Sequence, residues 1–502
     1  MYYRLLLLIF CTSFFMTAGA QSKRQRDTIC IIQLNDIYEI SPLDAGKTAG
    51  LARVATVIKE ARAHYTTFAL LAGDFLSPSA FGTAPYEGER LNGRHMVDVM
   101  NTAGIDYVTF GNHEFDIPQK SLQKRIDESQ FGWISSNVFM KDSTVKPFYK
   151  NVTGEKIDFP RTIVLTSPNN QFRIGLFSVT LPANLQNYIY YMDVDSAVQE
   201  VLPGLHKESD LIFGFTHVSY REDSLLLAKH RDIRFIMGGH EHQQLYVKSG
   251  SGAVAKADAN ARTIYKYLIW KKRKKFRIKS ELIRLDESVA KDSLTDARVH
   301  YWEDVAYKAF RTSGLEPTAF VCNMKDTLHG MESAIRFGQN NMGDAITSAM
   351  LMGNTADAAV INSGSIRIDD NVTGTITEMD IIRVLPFGGQ VINVTMKGSL
   401  LLKLMRGNDD RKGFGGYLQY GTAISREGEN WKEKNMWNVK GKPVDPAANY
   451  TIAMIEFLAS GREQMLDYFN TKNPEIIKVE KVMDAAGAGL DIRRMLIDYL
   501  KK

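Results

Sequence analysis

From residue 28 onward the chain alternates short apolar runs with amphipathic stretches and polar loops rich in Gly, Asn and Asp. Thr28–Leu34, Phe68–Leu71, Tyr107–Phe110, Phe172–Val179, Leu211–Thr216 and Phe235–Met237 are short and largely apolar. Runs of that length, bounded by turn residues, read as buried strands. Between the first two, Leu51–His64 repeats its apolar residues at helical spacing. Alternating strands and helices predict an α/β domain. Tyr265–Trp270 and Phe276–Leu285 predict a closing hairpin. Its tip, Lys271-Lys272-Arg273-Lys274-Lys275, reads as a solvated turn. Residues 286–316 are charged, and Val299, Trp302, Val305 and Phe310 are spaced as one helix face, which predicts a linker helix. A second block fills 317–502, with a Gly-rich loop at 413–421 and a helix at Leu490–Lys501. The pattern therefore predicts one domain over 27–285 and another over 317–502, joined by 286–316.

The start of the chain follows a different pattern. One positive charge lies in Met1–Arg4, a mostly apolar stretch fills Leu5–Met16, and Ala18-Gly19-Ala20 precedes Gln21. This is the layout of a secretory signal peptide over residues 1–20, too short for a stable membrane span. The expectation is an exported chain, periplasmic or extracellular after cleavage. At 502 residues, 44% hydrophobic and 24% charged, the composition is that of a globular protein. Lys and Arg number 62 against 57 Asp and Glu, a net charge of +5 that gives no case for a nucleic-acid polymer as partner. Three cysteines cannot form a disulfide scaffold. Cys11 lies in the apolar leader, and Cys30 reads as a small core residue. Export permits a Cys30–Cys322 pair without requiring one.

The informative chemistry follows the strands. Asn35-Asp36, Gly73-Asp74, Gly111-Asn112-His113-Glu114-Phe115-Asp116, His217 and Gly239-His240-Glu241-His242 each close a predicted strand. Ligand sites in open α/β sheets lie at the carboxyl ends of strands, so these groups are expected on one rim. Each alone has an ordinary reading, such as a helix cap or a hydrogen-bonded histidine. Together they offer oxygen and imidazole donors without thiolate, which suits Zn, Mn, Fe or Co rather than Mg or Ca. Asp36, Asp74, Asn112, His217, His240 and His242 are more ligands than one catalytic ion takes, so two divalent ions are indicated.

These motifs, in this order, resemble the calcineurin-like metallophosphoesterases. The second block adds Asn341-Met342-Gly343-Asp344, Asn362-Ser363-Gly364-Ser365-Ile366-Arg367, Leu385-Pro386-Phe387-Gly388 and Gly416-Tyr417-Leu418-Gln419. They are similar to the C-terminal domain of the 5′-nucleotidase family, which includes exported UDP-sugar hydrolases and cyclic-nucleotide phosphodiesterases. The resemblance implies a mixed α/β (α+β) architecture: a four-layer α/β/β/α sandwich, a linker helix and a smaller mixed α/β C-terminal domain. It implies one ion on Asp36, Asp74 and His242, and another on Asp74, Asn112, His217 and His240, with Asp74 bridging. His113 would stabilise the phosphoryl group and Asp116 would orient His113. A metal-bound hydroxide would attack phosphorus. Arg336, Asn362, Arg367 and Glu463 would hold phosphate or ribose, and Tyr417 and Phe457 would sandwich the base.

Three positions depart from the family pattern. Asp36-Ile37-Tyr38 replaces an Asp-x-His, so Tyr38 is either a phenolate ligand or a residue behind the ligands. Ser460-Gly461-Arg462-Glu463 replaces a Gly-Gly-Asp, and Ser365 replaces a glycine. The expected activity is phosphate release from a small-molecule nucleotide or related ester. Cyclic-nucleotide and UDP-sugar hydrolysis are alternatives within the family. A degenerate nucleotide-binding protein, impaired by Tyr38, is the alternative of another class. Oligomeric state is not legible in the sequence.

Overall fold

A computed structural model describes residues 27–183, 185–250, 252–427, 436–463 and 465–502. The expected signal peptide, residues 1–20 with Cys11, lies outside them. Among the described residues no helix is long and apolar enough to cross a membrane. The chain divides into two compact units. The first holds the described residues up to Pro78 together with Gly88–Val305. The second holds Ser79–Glu87 and Ala306–Lys502.

In the first unit the elements, in chain order, begin with β1 (Ile29–Leu34), α1 (Leu51–His64), β2 (Thr66–Ala72), β3 (Tyr107–Thr109) and β4 (Gly132–Ile134). There follow β5 (Thr162–Thr166), β6 (Arg173–Thr180), α2 (Val194–Glu208), β7 (Leu211–His217), α3 (Tyr220–Lys229) and β8 (Ile233–Gly238). The unit closes with β9 (Leu245–Ser249), β10 (Gly252–Lys256), β11 (Thr263–Lys272) and β12 (Lys275–Arg284). One six-stranded sheet has the order β12-β11-β1-β2-β3-β4, and the other β5-β6-β7-β8-β10-β9. In the first sheet β1 to β4 are parallel, and in the second β6, β7, β8 and β10 are.

Side-chain alternation along each strand sends successive residues to opposite faces. Ile29 and Ile31 of β1 meet Leu211, Phe213 and Phe215 of β7 in one buried cluster between the sheets, with Phe235 and Met237 of β8. The outer face of the second sheet buries Phe177, Ile212 and Ile236 against Val198 and Val201 of α2 and Leu226 and Leu227 of α3. On the first sheet α1 packs over β2 and buries Leu51, Val54, Ala55 and Ile58. The layers are thus α/β/β/α. Polar stitches near the carboxyl edge hold the sheets in register. Gln33 Nε2 donates to Gly238 O and Ala255 O, each at 3.0 Å, and Thr180 Oγ1 donates to Phe110 O at 2.6 Å.

The helix predicted over 286–316 is α4 (Ser293–Thr312), and the division between units falls within it. Ser79–Glu87 groups with the second unit, although it lies inside the first predicted stretch. The second unit contains α5 (Asn341–Leu351), β13 (Ala358–Ala359), β14 (Val391–Lys397), β15 (Asn449–Ile455), β16 (Ile476–Lys481) and α6 (Ile492–Leu500). Its main sheet has the order β13-β15-β14-β16, and α5 packs on α6. Cys30 is buried, Cys322 is half-buried, and both are free thiols.

Phe215 is fully buried between the sheets. Phe215→Ala is expected to lower the stability of the first unit by about 3–5 kcal/mol. A lower denaturant midpoint for that unit's unfolding transition checks this.

Candidate active site

The two sheets bring their parallel strands to a common carboxyl edge. Asp36 follows β1, Asp74 follows β2, Asn112 and His113 follow β3, His217 ends β7, and His240 and His242 follow β8. Asp36, Asp74 and His242 offer ligand atoms that all lie within 4.8 Å of one another. Asp36 and Asp74 are 0% and 1% exposed. Their backbones adopt the left-handed conformation, with φ of 52° and 55°, as do His240 at 90° and His242 at 59°. Each such non-glycine residue costs of order 1–3 kcal/mol and persists only where its surroundings enforce it. For Asp36 the enforcing bonds are its own N–H to Gly73 O at 3.1 Å and Asn260 N–H to its carbonyl at 2.7 Å.

Close approach also dictates two glycines. A Cβ on Gly111 would fall 2.1 Å from Asp74 Oδ1. One on Gly239 would fall 2.5 Å from Ala72 O and 2.8 Å from His217 Nδ1.

The buried carboxylates are heavily solvated by protein donors. Asp36 Oδ2 accepts from Asn35 Nδ2 at 2.8 Å and from His240 N at 2.9 Å. Asp74 Oδ1 accepts from His113 N at 2.7 Å, and its Oδ2 accepts from Tyr38 Oη at 3.2 Å. Burial opposes their charge, but the neighbouring histidines outweigh it and hold both carboxyls below the usual range. His217 Nδ1 lies 2.7 Å from Ala72 O, an acceptor only, so Nδ1 carries a proton. Its Nε2 then faces Asp74 Oδ2 at 3.0 Å and Asp36 Oδ1 at 3.8 Å. His242 Nε2 stands 3.3 Å from Asp36 Oδ1. Burial and the nearby His217 push the pKa of His240 down to about 4, which leaves its imidazole neutral at pH 7, as a ligand must be.

This donor set tests whether a cation fits. A neutral His217 presents a lone pair to two carboxylates, an arrangement that repels unless a positive charge sits between them. Without a metal that charge is a proton. Burial disfavours imidazolium, but Asp74 and Asp36 outweigh it and push the His217 pKa up to about 9. Carboxylate oxygens and imidazole nitrogens in a water-poor cage fit a divalent cation.

Tyr38 sits among these donors. Its hydroxyl is 3.2 Å from Asp74 Oδ2 and 2.9 Å from His242 Nε2. Its backbone N–H donates to Asn260 Oδ1 at 2.9 Å. His113 Nδ1 lies 2.8 Å from Asp116 Oδ2. Glu114, part of the same motif but given no role by the sequence, directs its carboxylate to backbone donors. Its carboxylate accepts from the backbone N–H of Asp74, Phe75, Leu76 and Gly111, at 2.9, 2.8, 3.1 and 2.6 Å. It thereby pins the loops after β2 and β3. Its position beside His113 was the only available signal.

In the second unit the predicted substrate residues fall on neighbouring loops. Asn362 pairs with Leu418 across two short strands, which brings Tyr417 beside it. Ser363 N donates to Tyr417 O at 2.7 Å. Asn362 Nδ2 donates to Glu463 Oε2 at 2.5 Å, and Ser365 Oγ donates to Asn362 Oδ1 at 2.7 Å. Gly413 N donates to Arg336 O at 2.9 Å, while the Arg336 guanidinium pairs with Glu332 at 2.7 Å. Arg367 is half-buried at the end of the 362–367 loop. Phe457 follows β15, which runs parallel to β13, so its loop leaves the same edge as Asn362. Phe457 is 39% exposed and lies under the Arg462 guanidinium, 5.4 Å from its ring centre, whereas Tyr417 is 4% exposed.

Comparison with known proteins gives two family matches along the chain. Residues 30–244 match the calcineurin-like phosphoesterase family, and residues 321–471 match the 5′-nucleotidase C-terminal domain. The UshA protein of Yersinia enterocolitica is 26% identical, the alignment covering 72% of each chain. The snake venom 5′-nucleotidase of Naja atra is also 26% identical, over 93% of this chain and 96% of that protein. The crystal structure of a 5′-nucleotidase precursor from Thermus thermophilus shares the fold. Its TM-score is 0.69 at 20% identity, over 94% of this chain and 96% of that one. With a phosphoesterase domain ahead of a nucleotidase C-terminal domain, this chain belongs to the 5′-nucleotidase family and is a phosphoric ester hydrolase.

Proposed function

We propose that this chain is an exported, metal-dependent 5′-nucleotidase that releases phosphate from small-molecule nucleotides. The observation that carries the reading is the convergence of Asp36, Asp74 and His242 at the edge shared by two sheets. In the proposed assignment Asp36, Asp74 and His242 hold one divalent cation. Asp74, Asn112, His217 and His240 hold a second, with Asp74 shared. When bound, the cations supply Lewis acidity towards the phosphoryl oxygens and acidify the attacking water.

The chain's own residues do the rest. Asp116 accepts from His113 Nδ1, so Nε2 is the nitrogen left to face the phosphoryl group, and it donates there when the ring is imidazolium. The carboxylate also favours the imidazolium form, which suits developing negative charge. Glu114 keeps the loops carrying Asp74 and Asn112 in place through four backbone bonds. In the second unit Arg367 and Arg336 supply guanidinium groups for phosphate, and Asn362 and Glu463 supply polar contacts for ribose. Phe457, with its exposed face, is the stacking surface for a base, and Tyr417 completes it.

The test combines metal analysis with a substrate panel. Wild-type protein is expected to carry two equivalents of divalent metal, and Asp74→Ala to lose both, as read by elemental analysis. His113→Ala keeps the metal but lowers kcat by roughly 10²–10⁴. Turnover of AMP is expected to exceed that of a 2′,3′-cyclic nucleotide, UDP-glucose and an aryl phosphate. Metal-loaded protein inert on all four would overturn the proposal, and a different ranking would reassign the substrate within the family.

A further inference from the structure

A buried charge cluster behind the ligand loops has no part in the chemistry above. Lys256 ends β10 and is 0% exposed. Its ammonium donates to Val218 O at 2.5 Å. It also lies 2.9 Å from Asp223 Oδ2 and 2.5 Å from Glu241 Oε2. A fully buried lysine is rare, and one flanked by two carboxylates reads first as an ion cluster that merely fills the core.

The partners argue for more. Val218 directly follows His217. Asp223 Oδ1 accepts from Thr216 Oγ1 at 2.7 Å, on the residue before His217. Glu241 stands between His240 and His242, and its other oxygen accepts from Tyr220 N at 2.5 Å. Next to Lys256, Ala257 exchanges backbone bonds with the Asn35 amide, at 2.8 and 3.0 Å. The same amide nitrogen donates to Asp36 Oδ2 at 2.8 Å. Gly238 leaves the room this requires, since a Cβ there would fall 2.8 Å from Lys256 Cε and 3.0 Å from Asp223 Oδ2.

We infer that Lys256 is a positioning residue of the hydrolase: its buried ammonium ties together the strand ends bearing His217, His240 and His242 and so sets their affinity for cations. The inference rests on the proposed ligand roles of those histidines. The physical reason lies in Glu241. A carboxylate between two ligands, on a loop held at positive φ, would otherwise turn towards the cations or away from Asp223. Lys256 neutralises it and draws it to the rear of the loop, so the flanking imidazoles are held at the front. Burial disfavours the charged lysine, but Asp223 and Glu241 outweigh it and raise its pKa, so it remains ammonium.

The experiment is calorimetric titration of Mn²⁺ into the chelator-stripped full chain, for wild type, Lys256→Met, Glu241→Gln and Asp74→Ala. Lys256→Met and Glu241→Gln are expected to weaken Mn²⁺ binding about 10–100-fold, the scale seen for groups that orient metal ligands. Their turnover is expected to recover when Mn²⁺ is raised to saturation. A purely structural lysine would lower the unfolding temperature and leave the affinity of the folded protein unchanged. Glu241→Gln keeps the Lys256–Asp223 pair and carries the test if Lys256→Met does not fold. Wild-type affinity in Glu241→Gln, or in folded Lys256→Met, overturns the inference. Undiminished binding in Asp74→Ala would instead overturn the ligand assignment beneath it.

Discussion

Two carboxylates, Asp36 and Asp74, keep their charge where almost no water reaches them. Desolvating such an ion costs several kcal/mol even after relaxation, and the surrounding fold is arranged to offset that cost. Backbone N–H groups of His240 and His113, the Asn35 amide and the Tyr38 hydroxyl all point at these oxygens. Imidazoles from the opposite sheet, His217 and His242, face the same oxygens. A site that holds negative charge so firmly in a dry cage favours a cation over any neutral ligand.

That demand reaches outward through geometry. To turn side chains over the sheet edge, four ligand candidates adopt left-handed backbone that costs free energy in isolation. Gly111 and Gly239 let neighbouring strand ends approach more closely than any side chain would allow. Glu114 gathers the amides of two loops, and Lys256 gathers carbonyl and carboxylate oxygens. Strain at the edge is therefore opposed by hydrogen bonds and ion pairs just behind it, on the rigid floor of two packed sheets.

Tyr38 shows how a departure from a family pattern is absorbed. Where the motif resemblance leads one to expect an imidazole, this chain places a phenol whose oxygen reaches both Asp74 and His242. A hydroxyl there solvates the carboxylate without adding positive charge, so the balance of charge near Asp36 rests on His217 and His242. In the second unit the same economy of contact appears at Glu463, where the longer carboxylate still reaches the Asn362 amide.

Much of this architecture is local in origin and could be read from the chain alone. The apolar runs gave the strands near their observed limits, and Leu51–His64 emerged as a helix with the same ends, because periodicity reports burial within a few residues. The donors of the rim were equally legible, since each lies in a contiguous motif at a strand end. Tertiary structure alone decided what depends on residues far apart in the chain. It placed the Tyr38 hydroxyl between Asp74 and His242, turned Glu114 into a clamp, bonded Lys256 to groups beside His217, His240 and His242 on two strand ends and grouped Ser79–Glu87 with the second unit. Such contacts arise from sheet packing and loop closure, and no local pattern of apolar and polar residues encodes them.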